Sequence, residues 1–249
     1  MLQTSKSTGQ NHEVSPLNGL KLFADGANLA DFSRLYASGE VAGFTTNPSL
    51  MHRANITDYE GFARELLTLV PDLPISFEVF SDEFDDMRRQ ARKIASWGDN
   101  VYVKIPITNT RGESSLPVVR DLSADGVKVN VTAILTLEQV AGSVDALHPE
   151  TLAIISVFAG RIADTGVDPV PTMRAAVALA TLKPRAEVLW ASLREALNIH
   201  QAGECGCHIV TATPDILKKL EMTGMNLSRL SQDTVAMFYR DATAAGFSL

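Results

Sequence analysis

The sequence has few cysteines, no cluster of basic residues and no long apolar stretch. Its 249 residues include two cysteines, and 22 lysines and arginines stand against 29 aspartates and glutamates. The net charge of −7 disfavours nucleic-acid binding, because a phosphate backbone requires a basic protein surface. No apolar stretch reaches the ~18 residues that cross a bilayer, so we expect no membrane partner.

The two cysteines, Cys205 and Cys207, lie two residues apart and next to His208. Side chains at this spacing on a strand share a face and diverge poorly for a disulfide, so we expect free thiols. A zinc site would need further ligands at zinc-like spacing, and the sequence offers none. We therefore expect neither a metal nor another cofactor.

The first 19 residues are polar and lack the apolar core of a signal peptide. We interpret residues 1–19 as a disordered tail and expect a cytoplasmic protein. The whole chain is 45% hydrophobic and 20% charged, which is ordinary for a globular protein.

Short apolar runs alternate with longer amphipathic segments along most of the chain. Eight runs have the composition of strands: 21–26, 41–47, 75–80, 101–107, 128–134, 152–159, 187–192 and 208–213. Amphipathic segments between them include 58–70, 83–98, 136–148 and 170–182. Asp58, Asp82, Thr136 and Thr213 stand where N-caps are expected. Eight such β-α units in about 230 residues predict an α/β fold, a single (β/α)8 TIM barrel.

We predict that residues 20–226 form the barrel and that residues 227–249 form an extra C-terminal helical segment. This segment contains five apolar side chains that the barrel pattern does not account for: Leu227, Leu230, Val235, Met237 and Phe238. They would cap the barrel or pack on a neighbouring subunit.

A doubly wound parallel sheet is the alternative architecture. It would require a glycine-rich phosphate-binding turn after the first strand. The turn there, ADGANLAD, contains one glycine, so we favour the barrel.

Polar residues interrupt the apolar runs near their carboxyl ends. Strands of a parallel barrel are covered on both faces, so they should be nearly continuous apolar runs. Asp25, Glu78 and Lys104 each stand alone near the end of a run. Side chains two residues apart on a strand share a face, and four pairs have this spacing: Thr45 and Asn47, Asn130 and Thr132, Ser156 and Phe158, Ser192 and Arg194. Any one of them could meet solvent or cap a helix. Together they indicate a single site, since barrel active sites lie at the carboxyl ends of the strands.

Lys104 is the one charged residue in VYVKIPIT, residues 101–108. One interpretation is that it faces water on an edge strand. The other is that it is an amine nucleophile that attacks a carbonyl. Apolar surroundings would activate such an amine, because burial disfavours the charged form of a lysine. The two carboxylates, Asp25 and Glu78, would then carry out separate proton transfers.

Four segments resemble signature segments of the transaldolase family: AGFTTNPSL (42–50), VYVKIPIT (101–108), VNVTAI (129–134) and VFAGRIAD (157–164). The resemblance runs from about residue 21 to about residue 220, in order and without large insertions. The compact length is similar to that of the short transaldolases and the fructose-6-phosphate aldolases, which are class I aldolase barrels.

The resemblance implies catalytic roles for four residues. Lys104 would attack the C2 carbonyl of a ketose and form an iminium. Asp25 would take the proton of the C4 hydroxyl as the C3–C4 bond breaks. Glu78 and Thr132 would hold a water that carries protons during iminium formation and hydrolysis.

The resemblance also implies substrate contacts. Asn47 and Asn130 would bind hydroxyls of the dihydroxyacetone unit, with Thr45 and Ser156 beside them. The substrates would be sugar phosphates of the pentose phosphate pathway. Family members of this length assemble through the C-terminal helix, so the resemblance implies a homo-oligomer, a ring such as a pentamer or decamer.

The resemblance further implies that Arg161, Ser192 and Arg194 form the phosphate site. Arginine suits this role because its planar guanidinium binds phosphate oxygens bidentately. The chain departs from the family at Leu193, where members usually have an aromatic residue, and at Gly26, where they have threonine or serine. A sulfonated or otherwise modified sugar could use the same arginines, since a sulfonate is also an anion.

Two positions distinguish transaldolases from aldolases within the family. Glu78 resembles the transaldolases, since the aldolases have glutamine there. Phe158 does so too, since the aldolases have a tyrosine that can assist protonation of the enamine. We therefore predict a transaldolase that moves a dihydroxyacetone unit from a ketose phosphate, such as fructose 6-phosphate, to an aldose. The alternatives are a fructose-6-phosphate aldolase-like lyase and a catalytically silent barrel with a binding or regulatory role.

Overall fold

The structure is a computed structural model that describes residue 17 and residues 19–247. The chain divides into two compact units, one spanning Pro16–Lys218 and the other containing Lys219–Leu249. The tail predicted over residues 1–19 lies outside the described residues, except for residues 17 and 19. The division predicted at residue 226 stays a prediction.

A closed barrel of parallel strands makes up the first unit, and the strands pair in chain order. The eight strands found in the described residues are β1 Lys21–Asp25, β2 Gly43–Thr45, β3 Ile75–Glu78, β4 Val101–Pro106, β5 Val129–Ile134, β6 Ala153–Val157, β7 Ala186–Trp190 and β8 Ile209–Ala212. β8 pairs with β1, for example at Val210 and Leu22, and so closes the barrel. The predicted (β/α)8 barrel is confirmed, and the doubly wound sheet is wrong.

Helices follow the strands of this unit. Their bounds are α1 Leu29–Ser38, α2 Pro48–Arg53, α3 Tyr59–Leu69, α4 Phe84–Ala95, α5 Leu116–Ala124, α6 Leu137–Ala146, α7 Ala159–Asp164, α8 Val170–Ala180, α9 Leu197–Glu204 and α10 Pro214–Lys218. The second unit contains a 3-10 helix, Lys219–Met222, and the predicted C-terminal helix, α11 Leu227–Ala244. Within the described residues, none of the helices combines the length and the apolarity needed to cross a membrane.

Three of the four expected N-cap residues directly precede their helices. Thr213 stands before α10, and its carbonyl accepts the backbone N–H groups of Ile216 and Leu217. Asp58 and Thr136 accept backbone N–H groups at the starts of α3 and α6. The expectation for Asp82 is wrong, because Glu83 occupies the N-cap position of α4. The Asp82 carboxylate instead accepts hydrogen bonds of 2.7 Å from the backbone N–H and the hydroxyl of Thr110. The Asp82 carboxylate is therefore bound by Thr110, in the loop after β4, and does not cap α4.

The strands are buried along nearly their whole length, as expected for a sheet covered on both faces. Their register aligns polar residues across neighbouring strands. Glu78 pairs with Lys104, and Lys104 pairs with Asn130. Asp25 on β1 pairs with Thr45 on β2. Asp25, Thr45 and Glu78 are the last residues of their strands, whereas Lys104 and Asn130 lie farther from the ends of β4 and β5.

Candidate active site

A cavity of about 450 Å³ opens at the carboxyl end of the barrel. All of the site residues predicted from the sequence line it: Asp25, Thr45, Asn47, Glu78, Lys104, Asn130, Thr132, Ser156, Phe158, Arg161, Ser192 and Arg194. The structure thus brings together side chains from β1 to β7 and from the loops that follow them. Their individual roles stay predictions.

Lys104 lies in the middle of β4 with its side chain only 8% exposed. Its Nζ is 2.9 Å from Oε2 of Glu78 and donates a 2.8 Å hydrogen bond to the carbonyl oxygen of Thr46. The edge-strand interpretation is wrong, because β4 has neighbours on both sides. The expectation of apolar surroundings needs correction too. The strand neighbours Val103 and Ile105 are buried, but the amine itself meets a carboxylate and a carbonyl.

Asp25 ends β1 and provides the second carboxylate of the cavity. Thr45 donates a 2.8 Å hydrogen bond to its Oδ1, and the hydroxyls of Thr45 and Thr211 lie 2.6 Å apart. Burial raises the pKa of Asp25 above its ordinary value, although the positive charge of Lys104 and the hydrogen bond from Thr45 oppose that shift. A carboxylate with a raised pKa is a stronger base, so Asp25 is suited to accept a proton from a bound substrate.

A chain of hydrogen bonds crosses the floor of the cavity. Ser156 donates to Oδ1 of Asn130 at 2.7 Å, and Asn130 Nδ2 donates to Ser76 at 3.1 Å. Thr132 is buried beside them, and its hydroxyl has no hydrogen-bond partner among the described residues. Since a buried hydroxyl without a partner costs ~1–3 kcal/mol, Thr132 is available to bind a water or a substrate group in the cavity.

Only one of the four expected side-chain pairs lies on a single strand, the pair Asn130 and Thr132 on β5. β2 ends at Thr45, and Asn47 caps α2 by accepting from the backbone N–H of Leu50 at 2.9 Å. β6 likewise ends before Phe158, and β7 ends before Ser192. The prediction of shared strand faces was therefore wrong for three pairs, since the chain turns into a loop or helix within each. The side chains nevertheless reach the cavity.

Arg161 and Arg194, which follow β6 and β7, line the cavity. Arg194 binds both carboxylate oxygens of Asp164 and thereby holds the pKa of Asp164 below its ordinary value. Arg161 stacks its guanidinium 5.7 Å from the centre of the Phe158 ring. Both guanidinium groups line the cavity, so this wall can attract an anionic group.

Gly160, in the helix after β6, allows the chain after β7 to approach closely at Ser192. A Cβ atom added there would lie 1.6 Å from the carbonyl oxygen of Ser192. The Gly160 backbone N–H donates to the Ala191 carbonyl at 3.3 Å. Ser192 itself has a φ of 63°, which is in the left-handed region. The absence of a side chain at Gly160 therefore determines where Ser192 and Arg194 can lie.

Several residues that line the cavity were not predicted as site residues, among them Thr211, Thr213 and Arg53. Thr211, on β8, stands two residues before Thr213, and both line the cavity. This spacing near the end of a predicted strand is the pattern used for the other residues, so it could have found them. Arg53 also lines the cavity, as the last residue of α2. It follows no strand end, so no pattern in the sequence points to it.

The thiols lie away from this cavity. Cys205 and Cys207 are free, as predicted, and the structure shows that both are buried. Among the described residues, no group of three or more histidine, cysteine, aspartate or glutamate side chains is arranged to hold a metal ion.

A family model described as transaldolase/fructose-6-phosphate aldolase matches residues 22–249. The chain belongs to the transaldolase/fructose-6-phosphate aldolase family. The predicted resemblance is confirmed, and membership supports an enzyme of the aldolase or transaldolase type.

Curated members of this family match most of the chain. A probable transaldolase 2 of Listeria monocytogenes is 36% identical over 202 residues, 81% of this chain and 88% of that protein. A probable transaldolase of Streptococcus equi subsp. zooepidemicus is 36% identical over 204 residues, 81% of this chain and 90% of that protein. A probable transaldolase of Clostridium acetobutylicum is 33% identical over 218 residues, 86% of this chain and 97% of that protein.

A solved structure, KGPDC from Streptococcus mutans, shares the fold. It superposes with a TM-score of 0.53 at 12% sequence identity and covers 80% of this chain and 90% of its own. Identity this low shows a common barrel and carries nothing about activity.

Proposed function

We propose that this member of the family is a transaldolase. It would move a dihydroxyacetone unit from a ketose phosphate, such as fructose 6-phosphate, to an aldose acceptor through a Schiff base on Lys104. The observation that carries the proposal is the buried Lys104 amine, 2.9 Å from the Glu78 carboxylate, in a cavity that holds a second carboxylate. A catalytically silent barrel would have no need for a buried amine in contact with a carboxylate.

Iminium formation uses Lys104, Glu78 and Thr132. The amine must be neutral to attack C2, and Glu78 lies close enough to accept its proton. The attack gives a carbinolamine, and its hydroxyl leaves as water when a proton returns to it. The unpartnered Thr132 hydroxyl is available to orient that water. The products of this step are the iminium on Lys104 and one water.

Carbon–carbon cleavage uses Asp25. Its carboxylate takes the proton of the C4 hydroxyl, and C4 becomes the carbonyl carbon of the departing aldehyde. The electrons of the C3–C4 bond move onto the iminium and give a three-carbon enamine on Lys104. The raised pKa of Asp25 strengthens it as the base of this step.

Transfer then requires the enamine to persist until an acceptor arrives. Attack of the enamine on an aldehyde forms the new C–C bond, and hydrolysis of the iminium releases the product ketose. Phe158 lines the cavity, and its side chain has no proton to donate to the enamine. This favours transfer over release of dihydroxyacetone, which is the lyase alternative.

Arg161 and Arg194, with Ser192, would hold the phosphate of donor and acceptor. Arg194 is engaged by Asp164 in the structure, and both of these side chains are about half exposed. An ion pair this exposed is weak, so an incoming dianion can compete for the guanidinium. A sulfonated sugar would meet the same two guanidinium groups and is a second candidate substrate.

We also propose a homo-oligomer in the cytoplasm, assembled in a ring through α11. This helix has apolar side chains at Leu227, Val235 and Phe238. Light scattering on the intact chain and on a chain that ends at residue 225 tests the proposal. A smaller assembly after truncation is expected, and an unchanged assembly would contradict it.

The activity test measures release of glyceraldehyde 3-phosphate from fructose 6-phosphate with and without erythrose 4-phosphate. Release that depends on erythrose 4-phosphate is expected of a transaldolase. Steady release without the acceptor would establish the lyase instead. No release under either condition would contradict both assignments for this donor, and the assay would be repeated with a sulfonated ketose.

A further inference from the structure

We propose that Tyr59 is a positioning residue that fixes the Glu78 carboxylate against Lys104. The inference rests on the proposed function, because it concerns the residue that exchanges protons with the amine. Tyr59 is the first residue of α3. Its hydroxyl donates a 2.8 Å hydrogen bond to the carbonyl oxygen of Glu78 and accepts one of 2.8 Å from the backbone N–H of the same residue.

The Tyr59 hydroxyl makes the hydrogen bonds to Glu78 that a longer β2 would otherwise make. β2 pairs with β3 at Thr45 and Ser76, and the backbone N–H of Thr46 still donates to the Ser76 carbonyl at 3.1 Å. The chain then turns into α2, before the ladder reaches Glu78. On its other side Glu78 pairs with Lys104. One phenol therefore satisfies both backbone groups that the β2 side leaves open.

The tyrosine ring is held by other aromatic rings. Its centre lies 5.5 Å from that of Phe80, 6.0 Å from that of Trp97 and 6.5 Å from that of Phe77. The rings of Phe77 and Trp97 are in turn 5.7 Å apart, edge to face. Burial also raises the pKa of the Tyr59 phenol, so the hydroxyl stays neutral and can both donate and accept. Packing of these rings around Tyr59 therefore fixes the position of its hydroxyl.

The position of the Glu78 backbone determines that of its carboxylate. Glu78 is the last residue of β3, and strand ends loosen when their backbone groups are unpaired. The contact with Lys104 is short, 2.9 Å, so a small displacement breaks it. A misplacement of ~1 Å in an active site can cost ~100-fold in rate. Loss of the Tyr59 hydroxyl should therefore slow proton exchange between Glu78 and Lys104.

The effect should be confined to the steps that use Glu78. Asp25 stands on β1, and the arginines follow β6 and β7, so the Tyr59 hydroxyl contacts neither group. We expect Tyr59→Phe to slow formation of the Lys104 iminium about 10- to 100-fold, in line with a displacement of that size. The KM for fructose 6-phosphate should change less than twofold.

The experiment is a single turnover with fructose 6-phosphate, stopped with borohydride, in which the reduced adduct on Lys104 is measured by mass spectrometry against time. It is run on the intact chain, Tyr59→Phe, Glu78→Gln and the double variant. If Tyr59 acts through Glu78, the double variant forms the adduct no more slowly than Glu78→Gln alone. Tyr36→Phe is the matched control, because the Tyr36 hydroxyl donates to Asp72 at 2.7 Å on the exposed surface.

An unchanged rate of adduct formation in Tyr59→Phe would overturn the inference. It would also be overturned if the double variant formed the adduct more slowly than Glu78→Gln by the full factor seen in Tyr59→Phe alone. A missing Lys104 adduct in the unaltered protein would instead overturn the proposed function, and the inference with it. Phe80→Ala is the second variant, in case Tyr59→Phe does not fold. It removes an exposed ring that contacts Tyr59 but keeps the hydroxyl, so the same step should slow by a smaller factor. A rate equal to that of the unaltered protein would then count against the inference.

Discussion

The carboxylate of Glu78 and the amine of Lys104 lie 2.9 Å apart on neighbouring strands, at directly paired positions of the β3–β4 ladder. Two side chains from paired residues on parallel strands lie side by side, so the contact follows from the register itself. The amine is also held by the Thr46 carbonyl at 2.8 Å. The amine nitrogen of Lys104 is therefore held from two directions, by the Glu78 carboxylate and the Thr46 carbonyl.

Glu78→Gln should separate proton transfer from substrate binding. The amide keeps the size of the carboxylate but cannot accept the proton of Lys104. We expect kcat to fall ~100- to 10,000-fold, the usual contribution of a general acid–base group, with little change in KM. Steady-state kinetics with fructose 6-phosphate and erythrose 4-phosphate checks this. A kcat near that of the unaltered protein would remove Glu78 from the mechanism.

Asp25→Asn should stop the reaction after iminium formation. Without the base, the C3–C4 bond stays intact, so a six-carbon adduct should accumulate on Lys104 and be trapped by borohydride. Trapping of the three-carbon adduct by Asp25→Asn would contradict this role.

The unaltered protein should lose activity as the pH falls. Since burial raises the pKa of Asp25, kcat should decline at a pH above the ordinary aspartate pKa of about 3.9.

Asp25→Asn should also stabilise the protein at neutral pH. Because the folded state raises the pKa of Asp25, it disfavours the charged carboxylate, and this cost is present above the folded pKa and absent below the unfolded one. Thermal unfolding should therefore give a higher Tm for Asp25→Asn at pH 7, with a gain that shrinks towards pH 4. The exposed carboxylate of Asp31 provides the control, Asp31→Asn. A lower Tm for Asp25→Asn at pH 7 would show that its charge stabilises the fold.

Gly160→Ala should disrupt the anion site. The added Cβ would lie 1.6 Å from the Ser192 carbonyl, so the loop carrying Ser192 and Arg194 must move. We expect the KM for phosphorylated substrates to rise at least tenfold, since a ~1 Å misplacement can cost ~100-fold. Gly203→Ala in α9 is the matched control, because its Cβ would meet Leu20 at an ordinary 3.9 Å. Equal KM values in the two variants would contradict the prediction.

Arg53→Ala should weaken binding of phosphorylated acceptors. Arg53 lines the cavity, and among the described residues it makes no ion pair with a carboxylate, so its charge is free for an anion. As an exposed charge it should contribute under ~1 kcal/mol, a two- to fivefold rise in KM that salt diminishes. Arg53→Lys should restore the value, and Arg34→Ala, outside the cavity, should leave it unchanged. A KM unaffected by Arg53→Ala at low salt would exclude a contact with substrate.

The barrel could be predicted from the sequence because parallel strands covered on both faces read as apolar runs. The ends of those runs were less predictable. The run at 41–47 contains a strand only at Gly43–Thr45, since Asn47 and Pro48 already begin α2. The polar interruptions located the cavity because strand ends in a barrel meet at one mouth.

Contacts between distant loops could not be predicted from residue patterns. Arg194 pairs with Asp164, 30 residues away, and Tyr59 binds the backbone of Glu78, 19 residues away. Neither pairing leaves a spacing or periodicity in the sequence. Arg53 reaches the cavity because α2 lies along its wall, which depends on how the helix packs rather than on where a strand ends.

The central claim is that Lys104 forms the Schiff base, and borohydride reduction in the presence of fructose 6-phosphate tests it most directly. Peptide mass spectrometry should locate the reduced adduct on Lys104, and Lys104→Met should yield no adduct and no turnover. An adduct on another lysine, or turnover that persists in Lys104→Met, would contradict the account.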